Sequence, residues 1–306
     1  MSKYYCLVAG LPNISLDDSK VPFTISDFRA ELEGILTSSD KKLIDLFFLK
    51  FDNKNLIEQL LHPDYDPDER GSITYDEFMA LFKALKKGKK PPKNEKIPSY
   101  FVEFFKLYIK EEGTDEEDGV DREEDEEDDE NAIPHPISWE DRLSGLYYAY
   151  AMKCRNGFFA QWYELNLNIN NILTAITAKK YGLNKTDYIV GDNAIAQLLR
   201  TSNAKDFDIG DSLEYLPDLQ RIAEEADLYV REKKIDQLKW EWLENNTFFT
   251  PFDIESVFAY LLKVEMIERW MLLDKAKGEK TFRELIGAMK KGSDNALEEF
   301  KRNNKK

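Results

Sequence analysis

Histidine and cysteine are nearly missing from this chain. Its 306 residues include two of each, His62 and His135, Cys6 and Cys154. Two histidines leave little material for a histidine metal site or for a nucleophile–histidine–acid triad. Two cysteines make no disulfide framework, so a reduced, cytosolic protein is expected. No apolar run reaches the roughly 18 residues of a membrane span. The opening Met1-Ser2-Lys3-Tyr4-Tyr5-Cys6 lacks the charged-then-apolar layout of a signal peptide. There is no Gly-x-x-x-x-Gly-Lys-Ser/Thr phosphate loop, no Gly-x-Ser-x-Gly elbow and no Cys-x-x-Cys pair. Nucleotide hydrolysis by this chain, serine-hydrolase chemistry and thiol redox chemistry are therefore set aside.

Basic charge is also scarce, with 43 Lys and Arg against 59 Asp and Glu and a net charge of -16. The excess is local. Residues 111–130 hold 15 acids and one arginine, and taking these from the totals leaves 44 acids and 42 bases. The rest of the chain is nearly neutral and offers no large basic field for nucleic acid. Apolar material is plentiful, at 42% hydrophobic and 13% aromatic residues. That suffices for a sizeable core and two or three domains.

The dominant pattern is helical. Phe158, Trp162, Leu165, Ile169, Ile172 and Ile176 recur at alternating steps of four and three, which is one face of a long helix. Trp139 to Cys154 and Leu219 to Leu243 read as further long helices. Ile254 to Leu273 is apolar on most sides, with Glu255, Lys263, Glu265, Glu268 and Arg269 as its main polar positions, so it should be buried. Asp253, or Thr250 before Pro251, is suited to cap its start. Glu265 and Arg269, four apart, suit an intrahelical pair. Gly278 and Gly292 punctuate the C-terminal helices. Only Tyr5 to Ala9 reads as a strand. An all-α fold of helical bundles follows.

Two stretches read as connections. Lys86-Lys87-Gly88-Lys89-Lys90-Pro91-Pro92-Lys93 should break a helix. The acidic run cannot pack, because its charges repel and it has little to bury; Pro134 and Pro136 end it. The expected organisation is an N-terminal helical unit at 1–90, a linker at 91–137, a central unit at 138–215 and a C-terminal unit at 216–306, forming one compact body. The linker holds a helix at 97–110 and a disordered acidic loop at 111–131.

Three segments echo one another: Phe51 to Leu60, Leu167 to Ile176 and Phe252 to Leu261. Each runs apolar, Asp or Asn, two free positions, Asn or Ser, two apolar, two free, Leu or Ile. Any capped amphipathic helix yields something similar; a true repeat would mean three helical units of one build.

Asp66 to Glu77 resembles a calcium-binding EF-hand loop, with acids at its first and third positions, Gly71 sixth, Ile73 eighth and Glu77 twelfth. Arg70 stands fifth, where an oxygen ligand belongs, and no partner loop exists. The favoured reading is a polar turn in which Thr74 and Glu77 form a capping box. Asn168, Asn170 and Asn171 border an apolar seam, where they are expected to bridge helices or satisfy a loop backbone, rather than bind a ligand. Glu265, Glu268, Arg269 and Asp274 have no second element to make a paired-carboxylate site. No residue is assigned as catalytic, cofactor-binding or metal-ligating.

The stretch Leu165 to Leu183 carries a resemblance. It is similar to the Asn-Leu-x-x-x-(Leu/Ile)-(Arg/Thr)-Ala-Lys-x-x-Gly segment of the C-type subunit of V/A-type ATPases, known as the d-type subunit in eukaryotes. Phe252 to Trp270 is similar to the Ile-Glu-x-Val-x-Ala-Tyr-Leu-x-x-Lys-Glu-x-Glu segment of that same ATPase component. As a whole the chain resembles a bacterial family of unknown function whose members accompany V-type ATPase components. This rests on Tyr4-Tyr5-x-Leu7-Val8-Ala9-Gly10-Leu11-Pro12, Asp236-x-Leu238-x-Trp240-x-Trp242-Leu243 and Glu268-Arg269-Trp270. The resemblance implies a funnel of three similar helical domains, peripheral to the cytoplasmic membrane. It further implies a non-catalytic role in coupling the membrane rotor ring to the central shaft during ATP-linked proton or sodium transport. Its partners would be the rotor-ring and central-shaft components, with no cofactor and no nucleic acid. The alternative is an all-α interaction scaffold unrelated to the ATPase, carrying a degenerate calcium loop.

Overall fold

The computed structural model describes residues 4–62, 64–91, 96–117, 138–210 and 212–273, with 112–117 described by their backbone alone. Among these residues there are eleven α-helices, one 3-10 turn and no strand. The fold is all-α, as the periodicity implies. Gly278, Gly292, Pro134, Pro136, Asp274 and most of the acidic run lie outside the described residues.

The chain divides into two compact units, one formed by residues 34–238 and the other by 1–33 with 239–306. The larger unit holds α3 (Ser38–Leu61), α4 (Tyr75–Lys86), α5 (Ser99–Glu117), α6 (Trp139–Ala151) and α7 (Gly157–Tyr181). The 3-10 turn (Lys185–Asp187), α8 (Ala194–Thr201) and α9 (Leu216–Ala223) complete it, and α10 (Leu228–Thr247) begins in it. The neighbours α3–α4, α4–α5, α5–α6, α3–α6, α6–α7, α7–α8 and α7–α9 pack together. Their core is aromatic. Phe48, Phe78, Phe101, Phe104, Phe105 and Phe159 are all essentially inaccessible. Rings in edge-on and tilted contact, such as Phe78–Phe101 at 4.8 Å and Phe47–Phe48 at 5.0 Å, add to their area burial.

Helix α7 is 25 residues long. Asn156 caps its start by accepting the Phe159 N–H at 3.2 Å. Gly182, with φ of 68°, ends it in the left-handed region, and the Leu183 N–H turns back to the Ala178 carbonyl at 2.9 Å. A side chain at that φ is disfavoured, which is why glycine closes the helix. Burial exceeds the single face read from the periodicity, since Tyr163, Leu167, Asn168 and Asn171 are inside as well.

The smaller unit holds α1 (Tyr5–Gly10), α2 (Ile25–Leu32), the end of α10 and α11 (Ile254–Leu272), with α2 packed on α11. Thr24 and Asp27 form a capping box at the start of α2. The Glu268 carboxylate of α11 accepts the Ile25 N–H at 2.9 Å. A carboxylate there both satisfies an orphan donor and suits the positive end of the helix dipole. Phe23, Phe28 and Tyr260 cluster with centroids 5.3 to 5.8 Å apart.

Four expectations are corrected. Tyr5–Gly10 is a helix and not a strand; with no second strand, only local i to i−4 bonds can satisfy its backbone. The helix read as Leu219 to Leu243 is two helices, broken between Ala223 and Leu228. Asp227 causes the restart by accepting the Tyr229 and Val230 N–H groups at 2.8 and 3.2 Å. Helix α5 runs to Glu117 and so enters the acidic run, where Glu111 pairs with Arg142 of α6. Asp253 takes the cap position of α11 by backbone alone, without a side-chain bond, and the Thr250 carbonyl accepts the Ser256 hydroxyl at 2.6 Å.

Burial pushes the Tyr100 and Tyr163 phenols well above their ordinary value and Tyr148 up to about 12. The folded state therefore holds these protons more tightly than the unfolded chain, whose phenols titrate near 10. Stability is full below about pH 10 and is expected to fall above it, by up to about 1.4 kcal/mol per pH unit for each phenol. Urea melts between pH 8 and 12, run beside a tyrosinate absorbance titration, check this; ionisation of all tyrosines near pH 10 with the fold intact would contradict it.

Candidate functional site

The polar residues singled out in the sequence converge on two loops of the larger unit. The Asn171 side chain holds Val190 by both backbone groups: its amide donates to the Val190 carbonyl at 2.7 Å and its oxygen accepts the Val190 N–H at 2.9 Å. One turn earlier, Asn168 accepts from the Asn193 amide at 2.9 Å. Asn193 in turn caps α8 by accepting the Ala196 N–H at 3.0 Å. Gly191, with φ of 74°, lies so close to Leu167 that a Cβ would come within 3.1 Å of its methyl. Asn170 is exposed and takes no part in the clamp.

The same device occurs at the end of α3. Asn55 donates to the Asp68 carbonyl at 2.9 Å and accepts the Asp68 N–H at 2.8 Å. One turn earlier, Asp52 accepts the Ser72 and Ile73 N–H groups at 2.7 and 2.9 Å, directly before Thr74 caps α4. A Cβ on Gly71 would stand 2.6 Å from the Asn55 amide. Two of the three echoing segments thus share one construction: a long helix, a bidentate Asn on the departing loop and a shorter helix capped beside it. The third does not share it, because Asp253 sits at a helix start, whereas Asp52 and Asn168 sit inside helices.

The calcium-like loop is used structurally. The Arg70 guanidinium grips the Asp68 carboxylate from Nε and Nη2 at 2.8 and 2.6 Å and holds its carboxyl below the usual carboxylate range. Glu77 accepts the Thr74 N–H at 2.9 Å and Thr74 accepts the Glu77 N–H at 3.3 Å, the expected capping box. Third- and twelfth-position acids are both engaged. Among the described residues no cluster of His, Cys, Asp and Glu could hold a metal ion.

Sequence reasoning missed a second set of tethers. Lys179 donates to the Asn203 and Ala204 carbonyls at 3.4 and 3.2 Å, and Lys185 donates to the Ser202 carbonyl. Both ammonium groups lie over the Phe207 ring. Burial, with Lys179 adding to it, lowers the Lys185 pKa. Phe207 and Asp208 both have positive φ, 56° and 59°, a conformation costing roughly 1–2 kcal/mol per residue. Arg200 donates to the Ile189 and Gly191 carbonyls and closes the loop that Asn171 clamps. Lys179 was legible as the basic end of α7, but its partners are 24 and 25 residues away.

A cavity of about 220 Å³ lies between α3 and α6, lined by Lys50, Asn53, Lys54 and Glu58 on one side and Glu140, Ser144, Tyr147 and Tyr148 on the other. Asn53 accepts the Tyr100 hydroxyl at 2.7 Å, and Tyr147 donates to the Leu46 carbonyl at 3.0 Å. The raised Tyr148 phenol stays protonated at neutral pH. No histidine or cysteine lines the cavity. Its lining brings together two ammonium groups, two carboxylates and three hydroxyls.

Two outcomes test this reading. Asn171→Ala leaves both Val190 groups without their partner and should cost about 2–4 kcal/mol in urea unfolding. Asn170→Ala, its exposed neighbour, should stay within about 0.5 kcal/mol; equal effects would refute the clamp. Thr74→Ala should cost about 1 kcal/mol through loss of the cap, and millimolar calcium should leave the melting temperature of both proteins unchanged. A calcium-dependent rise in the parent protein would make the loop a cation site.

No curated protein matches this chain, and no solved structure matches it. A family model does, over residues 1–293. With nearly the whole length covered, the chain belongs to the family described as "Protein of unknown function (DUF2764)".

Proposed function

We propose that this chain is a non-catalytic component of a V/A-type ATPase, similar to the C-type subunit, coupling the membrane rotor ring to the central shaft in ATP-linked proton or sodium transport. On this reading it works at the cytoplasmic face of the membrane and is held there by the ring and the shaft. It needs no span of its own, and no helix among the described residues is long and apolar enough to cross a membrane.

The observation that carries the reading is the use made of α7. The first of the two segments that resemble the ATPase component lies on it, and there Asn168, Asn171 and Lys179 brace loops. The second resembling segment lies on α11, whose Val257, Phe258, Leu261, Val264 and Ile267 are buried. An adaptor that transmits torque must be stiff, because a compliant one stores rotation as strain. Close-packed helices with bulky fillers meet that need; Trp162, Trp240 and Trp270 are each less than a tenth exposed. Tethered loops meet it too, since a clamped connection cannot flex independently of its helix.

The test is affinity purification of the tagged protein from detergent-solubilised native membranes, with mass spectrometry of what co-purifies. Ring, shaft and catalytic subunits in near-stoichiometric amounts are expected. An ATPase that purifies intact without this chain would end the proposal.

A further inference from the structure

The cavity between α3 and α6 is arranged by sign. The Tyr147 hydroxyl donates to the Leu46 carbonyl at 3.0 Å, while Glu58 and Glu140 both line the cavity. Parallel helices would put Glu140 near Ser39 and roughly 28 Å from Glu58, at about 1.5 Å per residue. The two helices therefore run antiparallel. Glu140 lies on the Glu58 side of the cavity, and Tyr147 and Tyr148 lie on the Lys50 side, with Lys54 between. The basic and acidic ends share about 220 Å³, room for roughly seven waters at about 30 Å³ each.

Several of its polar groups have no partner within the fold. Among the described residues no ion pair or side-chain hydrogen bond engages Lys54, Glu58, Glu140 or Ser144. Lys54 and Glu58 stand one turn apart, in the order that suits an intrahelical pair less well, and do not meet. Lys54 acts on Asp68 only through space. Burial pushes the Tyr148 phenol up to about 12, and no hydrogen bond offsets that rise. A hydroxyl withdrawn from water ordinarily has a partner. Ile57 and Leu143, both buried, supply the apolar part of the lining.

The charges choose the ligand. Two ammonium groups and two carboxylates cancel, so an ion of either sign meets as many like charges as opposite ones. A molecule carrying both signs can place each opposite its complement. We propose that this cavity binds a small zwitterion, its carboxylate held by Lys54 and the Tyr148 hydroxyl, its ammonium by Glu58 and Glu140, and its aliphatic chain laid on Ile57 and Leu143. Lys54 and Glu58 are about 6 Å apart along the helix axis, a spacing that suits an ω-amino acid of a few carbons. The hydrogen bonds at both ends are charge-assisted, which makes them the strong kind. The site lies within the larger unit and stands whether or not the chain works in an ATPase.

Isothermal titration calorimetry of the full-length protein tests this, with γ-aminobutyrate as the probe. Saturable binding at one site is expected, with butyrate and butylammonium each weaker by roughly tenfold or more. Lys54→Gln and Glu140→Gln should weaken γ-aminobutyrate by roughly the same factor, and Tyr148→Phe by about fivefold. All three variants should melt within a few degrees of wild type, because none of these side chains has a bonded partner to lose. No saturable binding of γ-aminobutyrate at millimolar concentrations overturns the site. Butyrate or butylammonium binding as tightly as the zwitterion overturns it too, as does unchanged affinity in Lys54→Gln and Glu140→Gln. Should a variant melt far lower, methyl NMR of the wild type decides the matter. Shifts at Ile57 and Leu143 on titration uphold the site; shifts at other methyls alone, or none, overturn it.

Discussion

The larger unit depends on one constraint: a loop that leaves a long buried helix must satisfy its own backbone without reaching water. An unpaired buried N–H or carbonyl costs as much as a good contact gains. Asn171 meets this constraint for Val190, and Asn55 meets it for Asp68, each with one side-chain amide that donates and accepts at once. Asparagine is suited to the task because its short side chain offers both functions in one plane. Aspartate at either position would accept but could not donate. The clamps fix where α4 and α8 begin; α4 then adds Phe78 to the aromatic core, and α8 packs on α7 with Ile195, Ala196 and Leu199 buried.

The two glycines beside these clamps follow from the same closeness. Gly71 has an amide and a carboxylate where its Cβ would stand, and Gly191 has a leucine methyl there. The loops approach their helices so nearly because the clamping side chains are short. Reach, backbone satisfaction and glycine placement are one solution, used twice within the larger unit. The stiffness that follows suits the coupling role proposed above.

The smaller unit solves its problem differently. It packs α2 on α11, and its closing polar contact is a carboxylate from one helix on the N-terminus of another. Its apolar residues divide into a buried set along α11 and an exposed set at α1 and the Phe248–Phe249 turn. Only the first set is explained by folding.

Periodicity alone determined that this is a helical protein, and it located α7 and α11 to within a few residues, because a buried helix writes its face into the sequence every three or four positions. The Thr74–Glu77 box and the Gly182 stop were also legible, since each is a bond within a few neighbours. The strand reading of Tyr5 to Ala9 failed because an isolated apolar pentapeptide carries no period, and the joined reading of α9 and α10 failed because Asp227 breaks a helix without glycine or proline. The clamps lay between these extremes: the asparagines were visible beside the seam, but their partners, 13 and 19 residues away, were not. Tertiary structure alone decided that two of the three echoing segments are alike, that Lys179 and Lys185 hold the loop around Phe207, and that Phe248 and Phe249 face outward. Such outcomes depend on which distant backbone a side chain meets, and no local pattern encodes that.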